Sequence, residues 1–186
     1  GSGDPFGSKL FRELLFNVDC ERCPNININL QTNGVMFTEK YWNKMHKLHN
    51  NINTVIVSYD AGTEETYNIT RRGGNWDQLQ TNMEFLSRLR QEGFIKELRI
   101  DFVVQQANYK EMAEVVRIGK RLKLDKVYFS LIVNWGTWTN EQYMYRAVYS
   151  KNHPEYDNFL KVLSDPILED DIVDLGNVTQ FKELVS

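Results

Sequence analysis

TVIVSYDAGTEETYNITRRGGNWDQLQTNMEFLSRLR, residues 54–90, changes its period partway along. Thr54 to Tyr59 is apolar at nearly every position and rich in β-branched residues, the pattern of a strand covered on both faces, which is how parallel sheets are built. A polar turn, DAGTEE, follows it. Beyond the turn the apolar residues recur at helical spacing, predicting helices near 63–70 and 75–92, with Asn75 or Asp77 near the second start. The stretch therefore reads as strand, loop and helix, the unit of an α/β fold.

The same unit recurs on either side. NININL (25–30) leads through QTNG to a helix near 38–49 that Thr38 is placed to cap. ELRIDFVV (97–104) leads through QQAN to a helix near 108–122, and KVYFSLIV (126–133) leads through NWGTWTN to one near 140–150. Before these units stands GSGDPFGSKLFRELL (1–15), a glycine-rich turn with no strand before it, opening a helix with Leu10, Leu14 and Leu15 on one apolar face. The tail after His153 reads as short helices with no further strand. Alternating strands and helices imply parallel strands joined by crossovers. Four units are too few for a closed eight-stranded barrel, which needs roughly 200 residues or more. An open doubly wound sheet and a partial barrel both remain. Either fold gathers ligands at the carboxyl ends of its strands, which points to five loops: Gly1–Pro5, Gln31–Gly34, Asp60–Gly62, Gln105–Asn108 and Asn134–Trp138. Their Gly, Asn, Gln, Asp and Thr residues suit a polar ligand and also suit turns.

Composition narrows the classes. The 186 residues are 41% hydrophobic and 12% aromatic, enough for one domain with a sizeable core. A formal charge of −3 argues against a nucleic-acid partner. The basic run Lys120-Arg121-Leu122-Lys123 fits a helix C-terminus, where cations complement the dipole. No apolar run has the length of a membrane span and no signal peptide is seen, so the expected location is cytoplasmic. Cys20 and Cys23 form a Cys-x2-Cys, half of a zinc or cluster site, and His46, His49 and His153 show no pairing pattern with it. Two thiols in a connecting loop, and a solvated histidine face, are the simpler readings.

GSGDP before a helix, then LQTNG, VSYDAGTEETYNITRRGG, NWDQLQTNMEFLSRLR, FVVQQANYKEM and VYFSLIVNWG resemble, in order and spacing, successive segments of the radical S-adenosylmethionine (SAM) enzymes. The similarity runs from residue 1 to about 140 and is nearest to the branch with C-terminal auxiliary iron–sulfur domains. It implies a partial (β/α) barrel of parallel strands truncated before its second strand, the chain opening at that strand's exit loop and running through the sixth. Residues 1–150 would form this barrel, and 151–186 a helical extension packed on it.

The resemblance also implies a site. Gly1, Gly3, Asp4 and Pro5 match a Gly-Gly-Glu-Pro type loop that holds the amino group of SAM, with Ser2 and Asp4 departing from the commoner residues. Asn33 and Gly34 would line the SAM side, Ser58 and Asp60 the methionine or ribose portion, and Asn108 the ribose hydroxyls. Arg71 or Arg72, the latter preferred, would pair the SAM carboxylate, a task suited to a bidentate guanidinium; an arginine pair balancing Glu64 and Glu65 is the alternative. Leu131 and Ile132 would meet adenine. Trp135 and Trp138 would either stack on a peptide or sugar substrate or close the end of the core. A whole enzyme of this kind cleaves SAM reductively at a [4Fe–4S] cluster to a 5′-deoxyadenosyl radical that abstracts hydrogen, in peptide or small-molecule modification. The family draws its cluster from a Cys-x3-Cys-x2-Cys loop that these residues do not contain, so the chain as it stands is expected to hold no cluster and to be inactive. A sheet lacking its first strand is also expected to self-associate through its edge. The other class open to this sequence is a non-catalytic α/β module that binds a nucleoside-like ligand or serves as a scaffold.

Overall fold

The computed structural model describes residues 3–22 and 25–185. Each apolar stretch forms a strand: β1 (Ile28–Thr32), β2 (Ile52–Ser58), β3 (Glu97–Val104) and β4 (Lys126–Leu131), every pairing parallel. The sheet order is β1-β2-β3-β4 followed by a fifth strand. In a doubly wound sheet the chain would reverse direction at a switch point. Here each strand lies beside its predecessor without reversal, which is how a barrel wall grows. The partial barrel is the architecture.

Polar caps start the helices where the sequence places them. Thr38 accepts the Tyr41 N–H at the head of α2 (Glu39–Lys44), Thr63 the Thr66 N–H of α3 (Glu64–Thr70), and Asn75 the Gln78 N–H of α4 (Trp76–Gln91). α1 (Lys9–Asn17) starts on Ser8 in the same way. Three expected helices are shorter than their patterns. α2 stops at Lys44, and a 3-10 turn takes over at His46–Asn51, where His49 stacks on Trp42 at 3.7 Å. α5 (Met112–Arg121) begins after a separate 3-10 turn at Tyr109–Glu111, and α6 (Asn140–Arg146) ends well before residue 150. The run at 126–133 leaves the sheet at Leu131.

The tail corrects the sequence reading most. After α7 (Tyr156–Leu163) the chain adds β5 (Val173–Asp174), parallel to β4, then ends in α8 (Thr179–Lys182). Two residues carry no readable period; the strand exists because the β4 edge offers ladder partners, with Val127 N–H donating to the Ile172 carbonyl at 2.7 Å. α1 is the second correction. Leu15 is buried, but Leu10 and Leu14 are 72% and 55% exposed, so only part of its apolar face is covered among the described residues.

β3 alternates half-buried and buried residues along its whole length. Its buried set (Leu98, Ile100, Phe102, Val104) joins Val55, Val57, Val127 and Phe129 under α4 and α5, while the other face lines the concave side of the arc. No helix among the described residues is long and apolar enough to cross a membrane.

Away from the strand mouths, Arg90 grips Asp125 with Nε and Nη2, both at 2.7 Å, and the same carboxylate accepts the Leu98 N–H at 2.8 Å. Partial burial pushes the Asp125 carboxyl up, but the Arg90 and Leu98 donors overcome it and hold it below the ordinary carboxylate value. A carboxyl depressed on folding stabilises the fold above its unfolded pKa, and that contribution is lost as the pH falls through the folded value. Asp125→Asn is therefore expected to cost about 1 kcal/mol at pH 7 for this half-exposed pair. The deficit should shrink as the pH falls below about 4, measured by urea unfolding at both values.

Candidate functional site

The opening turn is pinned at the mouth of β1. Phe6 is fully buried and packs edge-on against Phe37 at 5.0 Å. The Asp4 carboxylate accepts three hydrogen bonds: from Phe6 N–H at 2.9 Å, and from the Thr32 hydroxyl and Asn33 N–H, each at 2.6 Å. Asp4 thus ties the opening turn to the loop after β1. Gly1 lies outside the described residues. Within that loop the Asn33 side chain accepts the Val35 N–H, leaving its Nδ2 with no protein acceptor among the described residues. Asn82, buried on α4, donates to the carbonyls of Gly34 and Val35 and fixes the loop from behind.

After β2 the chain turns at Asp60, in the left-handed region at φ 55°. Its carboxylate points inward. It accepts the Val103 N–H at 2.7 Å and pairs with Arg71 Nη2 at 2.5 Å. Glu111 holds the next residues, accepting from Gly62 N–H at 2.6 Å and from the Thr63 and Thr66 hydroxyls at 2.7 Å each. Arg71 is thereby committed to Asp60, and neither arginine balances Glu64 or Glu65. Arg72 is exposed and has no acidic partner among the described residues.

Two adjoining clefts open here. The first, of about 470 Å³, is lined by Asn33, Met36, Tyr67, Arg71, Arg72 and Gly74, among others. Burial pushes the Tyr67 phenol up, so it remains a protonated donor there. The second, of about 600 Å³, lies between the end of α3, the loop after β3 and α6, and includes Gln105, Lys110, Trp138 and Arg146. Thr70 and Arg72 belong to both and form the wall between them. A third groove of about 650 Å³ runs between α5 and α7 on the outer helical layer and meets the second cleft at Lys110.

Several expected ligand residues turn out to be spent inside the protein. Asp60 is 6% exposed and fully engaged, so it does not face a ligand. Asn108 is 1% exposed; it accepts the Gln105 N–H and donates to the carbonyls of Asp60 and Val103, bracketing two loops instead of reaching a ribose or capping a helix. Ile132 is buried, its N–H bonded to the Val104 carbonyl and its own carbonyl accepting the Tyr149 hydroxyl at 2.8 Å, so no free backbone is left for adenine. Leu131 gives its N–H to the Asn177 side chain. Trp135 is 87% exposed and closes no core, whereas Trp138 lines the second cleft with the Arg146 guanidinium 5.3 Å from its ring centre.

Ser58 alternates away from buried Val57 and lies in register with Asp101 on the concave face. Asp101 pairs with Arg99 at 2.5 Å, and Arg99 stacks over Tyr128 at 4.2 Å. Burial pushes the Asp101 carboxyl up, against the pull of Arg99. Sequence reading missed Asn82, Glu111, Lys110 and Arg146. Only Asn82 left a signal, a polar residue in phase with Leu79, Met83 and Leu86 on the buried face of α4.

Among the described residues no three His, Cys, Asp or Glu side chains are placed to hold a metal ion. Cys20 is buried between α1 and β1, and Cys23 lies outside the described residues. The residues at hand therefore do not fit an iron–sulfur cluster. Arg72, with no acidic partner among the described residues, and the Asn33 amide share one cleft, a pair of donors that suits a carboxylate.

Comparison with known proteins agrees with this geometry. SuiB of Streptococcus suis bound to the precursor peptide SuiA superposes with a TM-score of 0.60 at 18% identity, covering 98% of this chain and 39% of that one. SuiB bound to S-adenosylmethionine gives 0.60 at 16% identity, over 99% of this chain and 39% of SuiB. TYW1 with a lysine-pyruvate adduct gives 0.55 at 15% identity, over 91% and 48%. These likenesses show a shared fold, and the chain spans less than half the length of the proteins it superposes on. No curated protein matches by sequence. The family model of the radical SAM superfamily matches residues 1–117, well over half of the chain. With its parallel barrel arc and strand-mouth site, the chain belongs to the radical SAM superfamily.

Proposed function

We propose that the first cleft binds SAM, and that the protein acts in SAM-dependent radical modification of a substrate, with a peptide as the favoured class. SAM, when bound, would supply a sulfonium whose C5′–S bond breaks on uptake of one electron from a reductant outside these residues, giving methionine and a 5′-deoxyadenosyl radical. This chain's own part is to hold and orient SAM. Arg72 pairs the methionine carboxylate across the cleft from Asn33, whose Nδ2 is free to donate. The Gly3–Pro5 turn sets the loop that carries Asn33, since the Asp4 carboxylate accepts the Thr32 hydroxyl and the Asn33 N–H, and Ser58 lies on the concave face of β2. No step through a cluster is assigned to these residues.

One observation carries the reading. Two arginines stand side by side at the strand mouth; Arg71 gives Nη2 to the Asp60 carboxylate, and Arg72 has no acidic partner among the described residues and stands on a cleft wall. The test uses S-adenosylhomocysteine, which lacks the reactive sulfonium and keeps the amino-acid end. Arg72→Gln is expected to weaken its binding about tenfold or more by calorimetry, the effect of losing a charge-assisted pair. Unchanged affinity in this variant would remove Arg72 from the site and the reading with it.

A further inference from the structure

The second cleft lies against the first, and its charge is one-sided. Its lining includes Arg72, Lys110 and Arg146 and no Asp or Glu, in a chain whose formal charge is −3. Arg72 faces the first cleft as well and Lys110 stands where the second cleft meets the groove between α5 and α7, so Arg146 is the cation that belongs to the second cleft alone. Arg146 has no acidic partner among the described residues. Its guanidinium is steadied by the Trp138 ring and by a 3.3 Å bond to the Gln142 carbonyl, so little freedom remains to be lost on binding. Lys110 shares the single carboxylate of Glu155 at 3.3 Å and keeps a 65% exposed side chain. The cleft's two sides are tied together by the Gln106 N–H donating to the Arg146 carbonyl at 2.9 Å, which holds the end of α6 against the loop after β3.

From this geometry we infer that the second cleft binds an extended peptide through a carboxylate side chain, gripped by Arg146 and Lys110. Ile69, Trp138 and Tyr145 supply apolar and aromatic wall for flanking residues, and Gln105 offers an amide to the peptide backbone. A carboxylate meets the planar Arg146 fork in two parallel hydrogen bonds. The inference rests on SAM occupying the first cleft. The shared Thr70–Arg72 wall then sets the acidic residue, or its neighbour, beside the reactive end of SAM. It names the substrate class as an acidic peptide.

The probes are acetyl-Gly-Glu-Tyr-Glu-Gly-amide, its Gln counterpart and inorganic phosphate, titrated into the nitrogen-15-labelled chain by NMR. The Glu peptide is expected to shift the Trp138 indole N–H and to bind about tenfold more tightly than the Gln peptide, with the difference falling as salt is added. The double variant Lys110→Gln, Arg146→Gln should abolish that difference while retaining the wild-type spectrum outside the cleft. Its S-adenosylhomocysteine binding, read on the Asn33 and Gly74 amides, should be unchanged. Equal affinity for the two peptides, a preference that survives in the double variant, or phosphate displacing the Glu peptide at matching concentration overturns the inference and leaves the SAM reading intact. Loss of S-adenosylhomocysteine binding in the wild type, with the peptide preference kept, overturns the SAM reading and leaves the carboxylate site standing.

Discussion

Asp60→Ala is expected to lower the free energy of unfolding by about 3 kcal/mol, because it leaves a partly buried guanidinium without its counter-charge. The Asp60 carboxylate is the only acidic partner of Arg71 among the described residues, at 2.5 Å, and it accepts the Val103 N–H of β3 as well. Removing it orphans both donors. The Arg71 side chain is 28% exposed, so water recovers part of the loss, and the expected value sits at the low end for a broken buried pair. Alanine also fits poorly at φ 55°, where Asp and Asn are tolerated. Asp60→Asn separates the two effects: it keeps the backbone preference and an acceptor for Val103, loses the charge, and should cost about half as much. In a double-mutant cycle with Arg71→Ala the losses should fall well short of additive. Chemical denaturation measures all four proteins. A loss under about 1 kcal/mol for the alanine variant would mean that Asp60 is free for a ligand after all.

Gly34→Ala is expected to be about as damaging, at roughly 3 kcal/mol, from strain and overcrowding together. Gly34 stands at φ 79°, and a methyl built there would lie 2.6 Å from Leu79 Cδ1 and 2.9 Å from Val57 Cγ1, two fully buried side chains. The loop is held against these neighbours, since Asn82 ties the Gly34 carbonyl to α4 at 2.8 Å. Leu79→Ala opens space at one of the two contacts. The double variant should therefore lose less than the sum of the single losses, a sign of steric coupling. Because Asn33 precedes this glycine, Gly34→Ala should also weaken S-adenosylhomocysteine binding. Calorimetric unfolding within about 1 kcal/mol of wild type would show that the loop can yield.

Both variants fall within the segments that carry the family resemblance, and both probe the scaffold beneath the ligand. The resemblance was legible because the order of TNG, DAGTEE and RRGG survives in the chain, but a motif does not say which of its polar residues meets the ligand. The partners that silence Asp60 and Asn108 come from far along the chain: Val103 is 43 residues from Asp60, and the Asp60 carbonyl is 48 residues from Asn108. Loops have no period from which to read the direction of a side chain, so inward and outward polar residues look alike until their partners are known. The two tryptophans show the same limit. Trp135 and Trp138 share one loop, yet one stands in solvent and the other forms a cleft wall under Arg146.

Local periodicity settled the element types, the parallel character of the sheet and the end at which its polar loops gather, because each depends on residues within a few positions of one another. Strand order, the fifth strand and the separate fates of Arg71 and Arg72 were decided only in the folded chain. A two-residue strand exists only against an edge that another segment provides, and an arginine is free or spent according to whether a distant carboxylate folds beside it.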